Sequence, residues 1–281
     1  MLSTQFPAAT IGIFDSGVGG LSVLRAIRQQ LPNAPVIYFA DQEHVPYGSR
    51  TLEEVRLFSE TITRCLLSLG VRLIVVACNT ASAAALHHLR QVFPDVPFVG
   101  MEPAVKPAAE QTHSGVVGVL ATPATFQGAL YASVVERFAQ GVTILQDTCP
   151  GLVQQIEAGK LDAPETRHIL ERALYPMLQK GIDTVVLGCT HYPFVIPLIE
   201  QIVGPAVRVI DPAPAIARQT ARLLMQYNLP QPEITPPEKL AALSVLTSGD
   251  ASALQNALPS LLGETAPVAS LRWVDARLSF S

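Results

Sequence analysis

Two thiols in this 281-residue chain have the type and setting for chemistry. Cys78 ends the apolar run Val71-Arg72-Leu73-Ile74-Val75-Val76-Ala77 and is followed by Asn79-Thr80. Cys189 ends the run from Gly181 to Gly188 and is followed by Thr190-His191. Setting Gly70 on Gly181 superposes the two runs without a gap, each with its Cys eight residues after the Gly. A short β-branched run of this kind reads as a strand buried on both faces. In open α/β sheets, ligands sit outside the carboxyl ends of such strands. One cysteine there is as readily a packing residue, because free Cys is among the most buried residue types. Two at equivalent places can invert a stereocentre. One thiolate removes the proton from a carbon, the other thiol returns a proton to the opposite face, and the reverse reaction exchanges their roles. A thiol with an ordinary pKa of ~8.5 must be tuned for this work. The polar pairs after each cysteine read as caps of helices whose N-termini favour a thiolate. A cysteine hydrolase would instead pair one thiol with one positioned His.

The elements that must position the thiols repeat as well. Gly12-Ile13-Phe14-Asp15-Ser16 resembles Gly118-Val119-Leu120-Ala121-Thr122, and 24 residues after each Gly a second strand begins, at Val36 and at Val142. Self-similarity on this scale predicts two copies of one α/β unit, each offering one cysteine at the mouth of its sheet. The first strand, from Ile11, delivers Asp15-Ser16-Gly17-Val18-Gly19-Gly20 into a helix with Leu21, Leu24, Ile27 and Leu31 on one face. That loop is neither G-x-G-x-x-G, since Ser22 holds the third Gly position, nor a P-loop, since no Lys follows. An Asp at a strand end also fits an aspartyl-phosphate enzyme, but Gly17 stands where such enzymes usually carry a second Asp.

His44-Val45-Pro46-Tyr47-Gly48 reads as a surface loop, and Thr51 with Glu54 as a capping box for the next helix. His87-His88 reads as solvated or packed. Thr122-Pro123-Ala124-Thr125, after the strand from Val116, is a candidate contact for a carboxylate or ammonium. Glu157 near the end of the helix from Gly151 reads, by pattern alone, as a solvated charge. A long helix from Asp162 to about Lys180 contains Pro176, expected to bend it. A Pro-rich linker (Pro230, Pro232, Pro236, Pro237) precedes one more strand, Leu243 to Thr247. The crossover near Pro103 and the return near Pro212 to Pro214 predict two lobes. The first is built from residues 1–103 with 215–281 and the second from 104–214. The expected fold class is α/β, with mainly parallel sheets and the site between the lobes.

Composition narrows the function classes. A 49% hydrophobic, 15% charged chain is that of a well-buried globule. A net charge of −4 gives no reason to expect nucleic-acid or anionic-membrane binding. Met1 to Pro7 lacks a secretory pattern, and no run approaches the ~20 apolar residues of a membrane span. A cytoplasmic protein with reduced thiols is the expectation. The four cysteines (Cys65, Cys78, Cys149, Cys189) form no C-x-x-C pair and no tight Cys/His cluster, which argues against structural zinc. Cys65 shares an apolar helical face and reads as core.

Four segments, Phe14-Asp15-Ser16-Gly17, Pro46-Tyr47-Gly48, Ala77-Cys78-Asn79-Thr80 and Gly188-Cys189-Thr190-His191-Tyr192-Pro193, resemble the signature segments of the aspartate/glutamate racemase family, in particular its glutamate racemases. The resemblance runs in order from about Ile11 to Asp250. It implies two flavodoxin-like lobes, a homodimer, no metal or pyridoxal phosphate, and production of D-glutamate for peptidoglycan. It also implies roles. Cys78 and Cys189 are the acid/base catalysts, while Asp15, Glu157 and His191 tune or orient them. Asp15, Ser16, Pro46, Tyr47, Gly48, Asn79, Thr80, Thr125, Thr190 and His191 hold the amino acid. Racemases of aspartate or hydantoins share the two-cysteine plan but usually lack the His-Tyr-Pro continuation. The alternatives are racemisation of another acidic amino acid, a two-lobed binding protein without catalysis, and a phosphohydrolase built on Asp15.

Overall fold

A computed structural model describes residues 11–229 and 242–280. Met1 to Pro7 and the Pro-rich stretch Pro230 to Pro237 lie outside the described residues. The first repeat supplies β1 (Ile11–Asp15), β2 (Val36–Ala40), β3 (Leu73–Val76) and β4 (Phe98–Gly100), paired in the order β2-β1-β3-β4, all parallel. The second supplies β5 (Val116–Ala121), β6 (Thr143–Asp147), β7 (Thr184–Gly188) and β8 (Arg208–Ile210), paired β6-β5-β7-β8, again parallel. Every residue of β1, β2, β3 and β7 is buried, as expected of parallel strands covered on both faces.

The duplication holds down to register. Gly12 lies opposite Ile74 and Gly118 opposite Val185, the same partners under the Gly70/Gly181 alignment. Ile74 in turn faces Phe98, and Val185 faces Val209. Only the second strands differ. Gly12 faces Ile37, but Gly118 faces Leu145, a slip of two residues relative to the repeat. An even slip keeps each side chain on its original face, so the layers survive it.

The C-terminal segment extends the first sheet past β2 with β9 (Leu243–Thr247) and β10 (Val268–Val274), both parallel, and β11 (Arg277–Phe280), antiparallel at the edge. The tail therefore holds three strands where the sequence suggests one. The β10–β11 hairpin turns through Asp275-Ala276, both at positive φ (47° and 57°). Such turns are usually announced by Asp-Gly or Asn-Gly, and Ala276 in the Gly place conceals this one. The helix Ala213–Gln226 packs along the helix Leu21–Gln30 and carries the chain back to the first sheet. Pro176 lies inside the helix Pro164–Gln179, which continues past it. Among the described residues, no helix is long and apolar enough to cross a membrane.

Candidate active site

The carboxyl ends of the two sheets meet at one cavity with about 290 Å³ of atom-free space. Cys78 and Cys189 both line it, at 5% and 6% exposure. Of the other residues expected at the site, Ser16, Pro46, Tyr47, Gly48, Asn79, Thr80, Thr190 and His191 line it too. Thr122, Val153 and Gly188 complete the wall.

The remaining expected residues stand behind that wall. The Asp15 carboxylate accepts from the backbone N–H groups of Gly17 (3.2 Å) and Gly20 (3.0 Å) and from the Thr190 hydroxyl (3.3 Å). Glu157 accepts from the Val18 N–H at 2.8 Å and lies 2.6 Å from His191 Nε2. Thr125 is buried outside the wall, its hydroxyl 3.0 Å from that of Thr122. Thr122 is the lining residue, and its hydroxyl reaches that of Thr80, in the first repeat, at 2.9 Å. A signal for Thr122 was available, since the repeat sets it on Ser16. Val153, on the helix Leu152–Glu157, has no such signal.

The glycine loop is shaped by what approaches it from the second repeat. A Cβ on Gly17 would overlap the Glu157 carboxylate, and one on Gly19 would overlap the His191 ring and the Thr190 hydroxyl. These glycines admit a carboxylate and an imidazole of the protein itself.

The two thiols sit in unlike surroundings. Cys78 caps the helix Asn79–Val92, its sulfur accepting from the Ala81 N–H at 3.4 Å. Burial, reinforced by the Asp15 charge, nevertheless pushes the Cys78 thiol well above its ordinary range. The expected cap at Cys189 does not form. The chain after it enters a 3-10 turn, Tyr192–Val195, and the α-helix starts only at Ile196. The N–H of Tyr192, at the place equivalent to Ala81, donates to the Cys189 carbonyl at 3.1 Å instead of to its sulfur. An imidazole takes the cap's place, with His191 Nδ1 3.7 Å from the Cys189 sulfur.

Burial alone would lower the His191 pKa, but its bonds to Cys189 and Glu157 outweigh burial and hold it well above the usual imidazole value. Burial raises Glu157, and the His191 bond and charge outweigh that and hold it below its usual range. The pair is thus imidazolium and carboxylate. Asp15 is pushed up by burial, against the pull of the His191 charge and the Gly20 N–H. Among the described residues lining the cavity, His191 is the only basic side chain.

Asn79 stands apart. Its carboxamide is buried, lines the cavity, and has no hydrogen-bond partner among the described residues at either Oδ1 or Nδ2. A buried amide left unpaired costs stability unless a ligand completes it. The other cysteines lie elsewhere. Cys149 is buried beneath the second repeat and pushed up by burial. Cys65 is half-buried against the first core, its pKa pushed up to about 11 by burial.

A family model described as Asp/Glu/Hydantoin racemase matches residues 11–220. A glutamate racemase of Ectopseudomonas mendocina is 51% identical over 260 residues, covering 92% of this chain and 97% of its own. A solved glutamate racemase of Escherichia coli, in complex with L-glutamate and the activator UDP-MurNAc-Ala, superposes with a TM-score of 0.81. It is 33% identical and covers 98% of this chain and 100% of its own. A glutamate racemase isoform of Bacillus anthracis gives a TM-score of 0.82 at 30% identity, over 96% and 98% of the two chains. The architecture is accordingly the two-lobed α/β fold of those enzymes. Matched along three-quarters of its length by the family model and along nearly all of it by these relatives, the chain belongs to the Asp/Glu/Hydantoin racemase family and is an isomerase.

Proposed function

We propose that this chain interconverts L- and D-glutamate by proton transfer at Cα between Cys78 and Cys189, and that it supplies D-glutamate for peptidoglycan. The observation that carries this reading is the meeting of both sulfurs in one cavity, from equivalent strand ends of two repeats. A single carbon held between them is reached from opposite faces.

The substrate completes the unpaired Asn79 carboxamide, whose Oδ1 accepts from the ammonium and whose Nδ2 donates to a carboxylate. The hydroxyls of Ser16, Thr80 and Thr122 supply further donors without placing a fixed cation against the α-carboxylate, while that of Thr190 is given to Asp15. When Cys189 acts as the acid, it gives its own proton to Cα, and the His191 imidazolium beside it carries the negative charge left on the sulfur. When Cys189 acts as the base, the imidazolium holds negative charge on the sulfur. Burial and the Asp15 charge disfavour the Cys78 thiolate. As a base it relies on the Ala81 N–H and the helix N-terminus to carry the negative charge. Preorganised donors of this kind stabilise a carbanion-like transition state. The two-base route runs on side chains alone and asks for no cofactor.

The lobes are 1–103 with 215–281 and 104–214, closing on the substrate from opposite sides. The working form is a cytoplasmic homodimer. Incubation with L-glutamate in D₂O, followed by circular dichroism and Cα deuteration, tests the reading. Loss of optical activity with one deuterium entering Cα is expected for L-glutamate, and no turnover of L-aspartate. Tight glutamate binding without deuterium uptake would mark a binding protein instead.

A further inference from the structure

Asp41 directly follows β2 with its carboxylate fully buried, yet it does not line the cavity. Four side chains converge on it. Tyr47 donates its hydroxyl at 2.6 Å to Oδ2, and His44 Nδ1 lies 2.9 Å from the same oxygen. Ser248 donates at 2.7 Å and the Trp273 indole N–H at 2.8 Å, both to Oδ1. Three of these contacts are donated by the protein and the fourth is to an imidazole nitrogen, so the two oxygens are taken up within the protein. Asp41 is therefore an anchor with no lone pair left to work on a substrate.

The anchor fixes the cavity wall. Tyr47 is buried, and burial together with the Asp41 charge holds its hydroxyl far above the usual phenol range. Its one proton is committed to Asp41, so the ring and the adjoining Pro46 and Gly48 face the cavity as a rigid wall. Behind them the His44 ring stacks on Phe58 at 3.9 Å and meets the Trp273 ring edge-on at 5.0 Å. Ser248 follows β9 and Trp273 lies in β10, so half the anchor comes from the C-terminal segment. The repeat alone does not explain that segment, because the second sheet carries no counterpart of β9 to β11.

We propose that Trp273 is a positioning residue of the active site, acting through the chain Trp273 Nε1–Asp41–Tyr47 to hold the Pro46–Gly48 wall against the substrate. The C-terminal hairpin is then part of the substrate-binding apparatus. The kinetic half of this inference rests on the racemase reading above.

Trp273→Phe keeps an aromatic ring against His44 and Phe58 and removes the donor to Asp41. Racemisation kinetics in both directions, the melting temperature, and the rate at which Cys78 reacts with methyl methanethiosulfonate, located by peptide mass spectrometry, form the test. The variant is expected to raise KM for both enantiomers about 3- to 10-fold with kcat within about twofold, since a bond to a charged group is lost away from the reacting atoms. Cys78 labelling is expected to accelerate severalfold, with the melting temperature little changed. In a Tyr47→Phe background the same substitution is expected to add almost nothing, because the link it acts through is already cut.

Unchanged KM and unchanged labelling would overturn the proposal. So would a full, additive effect in the Tyr47→Phe background, or a fall in melting temperature that alone accounted for the loss. Absence of racemisation by the parent enzyme would overturn the functional reading. The labelling rate would then still decide whether Trp273 holds the wall.

Discussion

His191 Nε2 lies 2.6 Å from Glu157 Oε1 while its Nδ1 lies 3.7 Å from the Cys189 sulfur. Glu157 also accepts from the Val18 N–H of the first repeat, so one carboxylate ties the environment of Cys189 to the loop beside Asp15. The two thiols are therefore equivalent in backbone position and unlike in support, an imidazolium beside one and a carboxylate beside the other.

That pair has a stability window. Glu157 is held below its ordinary 4.5, so its contribution is present above that value and is lost as pH falls through the folded-state pKa. His191 is held above its ordinary 6.5, so its contribution is complete below that value and is lost as pH rises through the folded-state pKa. Glu157→Gln is expected to destabilise by on the order of 2–4 kcal/mol around pH 5–6. The deficit is expected to shrink at higher pH as wild-type His191 loses its proton. A series of urea titrations from pH 5.5 upward measures the difference, and a deficit that stayed constant over the whole range in which the protein remains folded would contradict the assignment.

Gly17→Ala sets a methyl group on the Glu157 carboxylate. The backbone of Gly17 is not at positive φ, so the cost falls on the contact between the repeats rather than on local strain. A drop in kcat/KM of about 100-fold or more is expected, in keeping with a small misplacement of catalytic groups. The double variant Gly17→Ala with Glu157→Ala should recover part of the lost thermal stability. No recovery would place the damage elsewhere.

Asn79→Ala separates binding from folding. Its carboxamide has no partner among the described residues, so its removal is expected to change unfolding free energy by less than about 1 kcal/mol. KM for glutamate is expected to rise at least about tenfold, the effect of one or two lost bonds to a charged ligand. Denaturant unfolding beside steady-state kinetics checks both halves. A destabilised variant with unchanged KM would contradict the role.

Much of this was legible in the sequence, for identifiable reasons. The gapless match of Gly70–Thr80 with Gly181–Thr190 specified two equivalent strand ends, and the sheet registers agree with it. The same repeat pointed to Thr122 through Ser16, although Thr125 drew attention as a polar loop residue. What was hidden is non-local or lacks its usual marker. Trp273 and Asp41 are 232 positions apart, and no local pattern announces their contact. The Asp275-Ala276 turn has no glycine, which concealed a hairpin. The loss of a helix cap at Cys189, where the Tyr192 N–H bonds the Cys189 carbonyl rather than its sulfur, had no cue strong enough to outweigh the resemblance between the two repeats.

The most direct measurement of the central claim uses the single variants Cys78→Ser and Cys189→Ser with the two enantiomers of a glutamate bearing a β-chloro leaving group. Elimination of chloride needs only the base on one face, whereas racemisation needs both. The account predicts that racemisation collapses in each variant, and that each retains elimination from one enantiomer only, the two variants choosing opposite ones. Elimination from both enantiomers by either variant, or the same preference in both, would contradict the placement of one sulfur on each face of Cα.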